Sequence, residues 1–211
     1  MSADPRQRPA SDGTRAAGRP PSSASPAPDP PAGPEPVRTR ATGRALWIFA
    51  LAAVSALLVD LGTKQWALSA LADREPVRLL GGALYLTLIR NSGAAFGIGS
   101  DHTWVFPLVT VVVLGWIGWL ARGLRSAPWA VALGLILGGA LGNLLDRMFR
   151  APGPFLGHVV DMFSVFHPHG QVFPIFNIAD SALVCGVLLA VLLELTGRQR
   201  DGRRLTGRAE R

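Results

Sequence analysis

Cysteine is almost absent from this sequence of 211 residues, which contains only Cys185. A single cysteine has no partner for an intramolecular disulfide, and no neighbouring base would activate the Cys185 thiol. Because it lies within an apolar segment, we expect Cys185 to be a buried packing residue. The four histidines form neither an HExxH motif nor paired His/Cys spacing, so we predict no metal and no other cofactor.

Charge is also absent from long parts of the chain. No charged residue occurs in 45–59, 103–121 or 126–145, and the mostly apolar segment 175–195 has only two, both acids. A helix needs roughly 20 apolar residues to cross a bilayer core, and unbroken apolar runs lack the alternation of a membrane β-barrel. The sequence therefore predicts an all-α membrane protein with four transmembrane helices, at about 45–64, 103–121, 126–146 and 175–195.

Large apolar residues are scarce at the start of the chain. Residues 1–43 are rich in Pro, Ala and Arg, and Val37 is their only branched aliphatic residue. Such a composition predicts a disordered tail, and it lacks the apolar core of a cleavable signal peptide. The four helices would form one membrane domain, 44–196, followed by a loose basic tail, 197–211.

The net charge of +7 is concentrated at the two ends of the chain. Seven of the 21 basic residues precede the first predicted helix, six follow the fourth, and Arg122 and Arg125 lie between the second and third. By the positive-inside rule, this distribution predicts that both termini are cytoplasmic. Anionic membrane lipid is a sufficient partner for the basic tails, and the absence of an aromatic and basic platform argues against nucleic-acid binding.

Two segments would then face the outer side of the membrane, 65–102 and 147–174. The first contains the run "VRLLGGALYLTLIRNSGAAFGIG", whose Leu, Tyr and Thr residues and Gly or Asn-Ser-Gly breaks are typical of short strands and turns. We expect a small β-rich extracytoplasmic lobe here, between helices 1 and 2. The second segment contains four prolines, so we expect it to be mostly loop.

Four aspartates are predicted to lie at one outer membrane level. Asp60 ends the first predicted helix, Asp146 ends the third, Asp180 opens the fourth, and Asp161 lies in the second outer segment. Ionisable groups at membrane depth are costly, and they usually persist because they are paired or functional.

For two of these acids, an ion pair accounts for the buried charge as readily as a functional role does. Lys64 lies one turn after Asp60, and Arg147 directly follows Asp146. Asp161 and Asp180 have no lysine or arginine within ten positions, so a functional role is favoured for them.

Asparagines accompany two of the acids. Asn143 lies three residues before Asp146, and Asn177 lies three residues before Asp180, so each pair would share a helical face. An amide can orient a carboxylate or bind a substrate carbonyl. The glycines that precede Asn143, at 138, 139 and 142, predict a face that lets another helix approach closely.

Five sequence blocks, in this order, resemble lipoprotein signal peptidase, the type II signal peptidase of bacteria. They are "DLGTKQ" from Asp60, "NSGAAFG" from Asn91, "GGALGNLLDR" from Gly138, "VVDMFSV" from Val159 and "FNIADS" from Phe176. The resemblance extends from about residue 44 to residue 195 and leaves out both tails.

This resemblance implies an aspartyl endopeptidase of the bacterial inner membrane, without a cofactor. Its substrate would be a prolipoprotein, cleaved just before a diacylglyceryl-modified cysteine. The resemblance makes Asp161 and Asp180 the catalytic pair. The remaining matched positions would line or support the substrate site: Asn91, Asn143, Asp146, Arg147, Asn177, Asp60 and Lys64.

The residues alone make this chemistry reasonable and leave two other classes open. Two close carboxylates in a poorly hydrated place share a proton, so that one accepts a proton from water and the other polarises a carbonyl. A small proton-coupled transporter would also use intramembrane acids, but it predicts acids near the midplane and often an internal repeat. A non-enzymatic anchor protein would leave Asp161 and Asp180 without a role.

Overall fold

The computed structural model of the protein describes residues 42–93 and 103–205. Its helices are α1 (Gly43–Ala70), α2 (Val105–Ala121), α3 (Ala127–Phe149) and α4 (Ile178–Leu195), and its strands are β1 (Val77–Leu79), β2 (Leu84–Asn91) and β3 (Val159–Val165). The predicted disordered tail lies outside the described residues up to residue 41, as do residues 94–97 of the block "NSGAAFG" and the last six residues.

Among the residues that the structure describes, three helices are long and apolar enough to cross a membrane: α1, α3 and α4, with 28, 23 and 18 residues. The fourth, α2, is apolar but has only 17 residues. The predicted bounds of α2, α3 and α4 are within three residues of those observed, but α1 continues to Ala70. Asp60 therefore lies ten residues before the end of its helix, not at the end as predicted, because polar Thr63, Lys64 and Gln65 continue the helix.

Helix α3 is at the centre of the bundle and packs against α1, α2 and α4. Its glycines permit this packing. A Cβ atom on Gly138 would collide with the carbonyl of Ala53 on α1, and one on Gly139 would collide with the carbonyl of Ala179 on α4. The predicted close-approach face is confirmed, and it brings the backbones of α1, α3 and α4 together around Gly138 and Gly139.

The strands form one antiparallel sheet in the order β1-β2-β3. Only β1 and β2 come from the segment between α1 and α2. The third strand comes from the segment after α3, so the prediction that this segment is mostly loop is wrong for Val159–Val165. The strand's Val and Phe residues pair with β2, and the prolines all lie outside it.

Strand β3 presents its two faces to different partners. Val160 and Met162 are fully buried in a cluster with Ala67 and Leu71 at the end of α1. Because side chains alternate along a strand, this packing turns Asp161 to the opposite face. A bulge in the β2–β3 pairing, between Leu86 and Ile89, sets Ile89 opposite Asp161.

The described part of the C-terminal segment, 197–205, turns back onto the start of α3. The carbonyl of Arg200 accepts hydrogen bonds from the backbone amides of Arg125 and Ser126, at 2.9 and 3.0 Å. The indole of Trp129 donates to the carbonyl of Arg198 at 2.7 Å. The segment is therefore not loose in this part, because it satisfies amides that the start of α3 leaves free.

Candidate active site

Four aspartates from four different elements meet at the end of the bundle where the sheet lies. Asp60 lies on α1, Asp146 on α3 and Asp161 on β3, and Asp180 lies in the first turn of α4. The first three are buried, and Asp180 is half-buried. The fold thus brings together acids that are up to 120 residues apart in sequence.

Two of the aspartates are held by cations. The Nζ atom of Lys64 lies 2.8 Å from Oδ2 of Asp60 and 2.9 Å from Oδ2 of Asp146, and the Lys64 and Asp60 side chains are 0% exposed. The other oxygen of Asp146 pairs with Arg150. The predicted Asp60–Lys64 pair is confirmed.

The predicted pairing of Asp146 with Arg147 is wrong. Adjacent helical residues point about 100° apart, whereas Arg150 lies one turn after Asp146 on the same face. The pairing of Asp146 with Arg150 was not predicted, although the four-residue spacing of the two residues was a usable signal.

The other two aspartates are held by amides. Asp161 accepts hydrogen bonds from the side chains of Asn91, at 3.0 Å, and Asn177, at 2.7 Å. Asp180 accepts one from the side chain of Asn143, at 2.7 Å. These neutral donors orient both carboxylates without adding a charge.

Asn177 joins the two amide-held aspartates. It is the N-cap of α4. Its side-chain oxygen accepts a hydrogen bond from the backbone amide of Asp180 at 2.9 Å, and its backbone amide donates one to Asp180 Oδ2 at 3.1 Å. This reciprocal arrangement is a capping box. The three-residue spacing of Asn177 and Asp180 therefore marks a helix start, not the shared helical face that was predicted.

Arg147 secures the turn that carries Asn91. Its guanidinium donates to the carbonyls of Ser92, at 3.2 Å, and Gly93, at 2.6 Å. The same group lies 4.6 Å from the centre of the Phe106 ring, a favourable cation–π geometry. The sequence had no signal for Phe106, because this contact depends on how α2 packs beside α3.

Asp161 differs from an ordinary carboxylate in its affinity for protons. Burial, followed by the negative charge of Asp180, raises the pKa of Asp161 to about 7. The hydrogen bonds from Asn91 and Asn177 act in the opposite direction but are outweighed. One proton can therefore reside on Asp161 near neutral pH.

Asp161 and Asp180 border a groove of about 770 Å³. Its walls are mostly apolar and include Val109 of α2 and Val184 of α4. Cys185 also lines the groove and is exposed, so the prediction of a buried packing cysteine is wrong.

Within residues 42–93 and 103–205, no group of three or more His, Cys, Asp or Glu side chains is arranged to hold a metal ion.

The family model for signal peptidase (SPase) II matches residues 52–196, which is more than half of the chain. The chain belongs to the signal peptidase II family. The matched region contains every residue that the sequence analysis assigned to the site, from Asp60 to Asp180. The prediction of an aspartic peptidase is confirmed by this membership, and the transporter and anchor alternatives are not supported.

Related sequences agree with the family model over most of their length. The chain is 48% identical to a lipoprotein signal peptidase of Streptomyces coelicolor over 167 residues, 79% of each chain. It is 46% identical to a lipoprotein signal peptidase of Rhodococcus jostii, over 83% of this chain and 86% of that one.

Solved structures share the fold over nearly their whole length. A bacterial membrane enzyme determined by the in meso method at 2.3 Å resolution is 28% identical, with a TM-score of 0.60, over 82% of this chain and 99% of its own. A second, at 1.9 Å resolution, is 30% identical with the same TM-score, over 75% of this chain and 97% of its own. The described helices and sheet are thus those of a membrane enzyme.

Proposed function

We propose that this family member is an intramembrane aspartyl endopeptidase with Asp161 and Asp180 as its catalytic pair. It removes the signal peptide of a prolipoprotein by cleaving just before the diacylglyceryl-modified cysteine. The observation that carries the proposal is the link between the two carboxylates through Asn177, at the wall of an apolar groove. The names of the related proteins support the substrate class.

The two carboxylates have different tasks in this mechanism. Asp161, with its pKa of about 7, holds the shared proton and donates a hydrogen bond to the scissile carbonyl. Asp180, ionised, accepts a proton from a water molecule, whose oxygen attacks the polarised carbon. Asp180 then returns that proton to the leaving nitrogen as the C–N bond breaks, and the pair again shares one proton.

The remaining polar residues orient this pair. The amides of Asn91, Asn143 and Asn177 leave lone pairs on both carboxylates free for water and substrate, since each oxygen can accept two hydrogen bonds. Arg147 supports the Asn91 turn at the edge of the groove. The apolar walls of the groove suit a signal helix and acyl chains.

We also propose a four-span arrangement in the bacterial cytoplasmic membrane. Helix α2, at 1.5 Å per residue, extends roughly 25 Å, which is slightly less than a typical hydrocarbon core. Both termini are cytoplasmic and the aspartate pair lies near the outer face, as the distribution of basic residues favours. Both basic tails face anionic lipid.

The proposal is tested by prolipoprotein processing in membranes that lack their own signal peptidase II. Asp161→Asn and Asp180→Asn nearly preserve side-chain volume, yet each removes a carboxylate, so conversion of the diacylglyceryl precursor on a gel is expected to stop. The pair assignment is wrong if either variant, at normal protein level, processes the precursor at the unmodified rate.

A matched control is Asp73→Asn. Asp73 is exposed, lies in the loop after α1 and has a φ of 55°, a backbone conformation that asparagine adopts readily. This substitution removes a carboxylate without touching the proposed site, so processing and protein level are expected to stay unchanged. If the unmodified protein leaves the precursor uncut, the substrate class itself is wrong.

A further inference from the structure

The residue before each proposed catalytic aspartate is tied to the cation-held pair. The backbone amide of Val160 donates to Asp146 Oδ2 at 3.1 Å, and the backbone amide of Ala179 donates to Asp60 Oδ1 at 2.9 Å. The two hydrogen bonds are equivalent in chain position, although one lies in a strand and the other in the first turn of a helix. The proposed catalytic residues are thus anchored through the backbone by the other two aspartates.

Lys64 connects these two anchors. Its ammonium group has three N–H bonds and contacts three oxygens, Asp60 Oδ2 at 2.8 Å, Asp146 Oδ2 at 2.9 Å and Asn143 Oδ1 at 2.9 Å. The side chain is 0% exposed, so these three oxygens surround an ammonium group that is shielded from water. A buried cation between two carboxylates and an amide oxygen has little freedom to move.

The third contact of Lys64 also leads to the pair. Asn143, whose oxygen accepts from Lys64, donates through its nitrogen to Asp180 at 2.7 Å. Its oxygen additionally accepts from Asn177 at 3.1 Å, and Asn177 donates to Asp161. Because the amide oxygen is bound by Lys64, the nitrogen of Asn143 must face Asp180.

We propose that Lys64, the only lysine of the chain, is a positioning residue that sets the separation and orientation of the Asp161 and Asp180 carboxylates. It does so through the Asp146–Val160 and Asp60–Ala179 hydrogen bonds and through Asn143. Lys64 does not border the groove, so it acts without touching the substrate. This inference rests on the proposed function of the aspartate pair.

A charge-balanced double variant distinguishes a positioning role of Lys64 from that of a merely structural ion pair. Lys64→Met alone leaves two buried carboxylates with only Arg150 as a cation, so loss of folded protein would be uninformative. Lys64→Met combined with Asp60→Asn removes one charge of each sign. It keeps an oxygen at position 60 for the Ala179 amide and removes the ammonium link together with the charge of its Asp60 partner.

The expected result is a folded but slow enzyme. The double variant should accumulate and bind precursor with an unchanged KM, because the groove is intact, while kcat falls about 10²-fold, as expected for misplacement of reacting groups by roughly 1 Å. Recovery of the full kcat in the double variant would show that Lys64 only balances charge and would overturn the inference. Asp161→Asn stays inactive in either case, which keeps this test distinct from that of the proposed function.

The pH profile of kcat gives a second readout. The charged groups that face Asp161 are Asp180, Lys64 and Arg147, and the charge of Lys64 lowers the pKa of Asp161. In the double variant, loss of the Lys64 charge alone would raise the pKa of Asp161 and move the alkaline limb to higher pH. If Lys64 positions the pair, its loss also moves Asp180 away from Asp161. The weaker repulsion then lowers the pKa of Asp161 and moves the limb to lower pH. An upward shift would contradict the inference.

Asp73→Asn combined with Arg74→Met is the matched control, since both are exposed charged residues in the loop after α1 and one charge of each sign is again removed. This change is expected to alter neither kcat nor the position of the alkaline limb. A change as large as that of the Lys64 and Asp60 double variant would overturn the inference, because the effect would then not depend on the aspartate site.

Discussion

The site contains two pairs of aspartates that are held in opposite ways. Asp60 and Asp146 contact the ammonium of Lys64, whereas Asp161 and Asp180 receive hydrogen bonds from asparagine amides. A cation favours the ionised form of a buried carboxylate, and a neutral amide does so much less. The first pair is therefore suited to fixed geometry and the second to proton exchange, although all four residues have the same side chain.

The largest effects are expected from substituting one aspartate of each pair: one substitution should lower stability and the other should lower activity. Asp146→Asn leaves Lys64 and Arg150 facing a neutral group, and disruption of a buried pair typically costs about 3–5 kcal/mol. Asp161→Asn removes no cation contact, so at pH 5, where Asp161 is protonated, thermal unfolding in detergent should change little. Processing should fall at least ~10²-fold. Equal destabilisation by both substitutions would remove the distinction between the pairs.

The pH dependence of stability sharpens the contrast. The pKa of Asp161 is about 7 in the folded protein and near its ordinary value of 3.8 when unfolded, so the folded state binds more protons between these values. Stability therefore falls as pH rises from about 4 to 7, by roughly 2–3 kcal/mol between pH 5 and pH 8. Asp161→Asn should reduce this slope in unfolding midpoints measured across that range. An unchanged slope would assign the pH dependence to other groups.

Much of this arrangement was predictable from the sequence. The apolar runs predicted the helices, and the blocks around Asp161 and Asp180 indicated the family. The strand β3 was missed because the prolines around it dominated the local pattern, although Val159–Val165 is rich in Val and Phe. The length of α1 was missed because the apolar run ends before the helix does.

The sequence predicted only part of the contrast between the two aspartate pairs. Asp60 and Lys64 are one turn apart, so their ion pair follows from helix geometry. The contact of Lys64 with Asp146 and those of Asn177 with Asp161 join residues that are distant in the chain. The glycines of α3 predicted a close approach of another helix, but not that α1 and α4 would be the helices that pack there.

Crowding at Gly142 tests how rigid the cation-held pair is. A Cβ atom here would collide with the Asp60 carboxylate, which cannot move without losing Lys64 or the Ala179 amide. Gly142→Ala is therefore expected to destabilise the protein by about 1–3 kcal/mol in thermal unfolding. The control is Gly115→Ala on α2, where the new Cβ meets open space, and unchanged or slightly higher stability is expected there. If both substitutions are neutral, the Asp60 carboxylate is free to shift.

The smallest effect is expected from the second cation of Asp146. Arg150 is 23% exposed at the end of α3, and its loss leaves Asp146 bound to Lys64 and to the Val160 amide. Arg150→Gln should therefore cost at most ~1 kcal/mol, a decrease of a few degrees in the unfolding midpoint, without lowering kcat. Arg203→Gln is the control, because Arg203 pairs with Asp201 on the surface and no change is expected. A loss of kcat in Arg150→Gln would mean that Asp146 depends on both cations to hold β3, and the role given to Lys64 would then be shared.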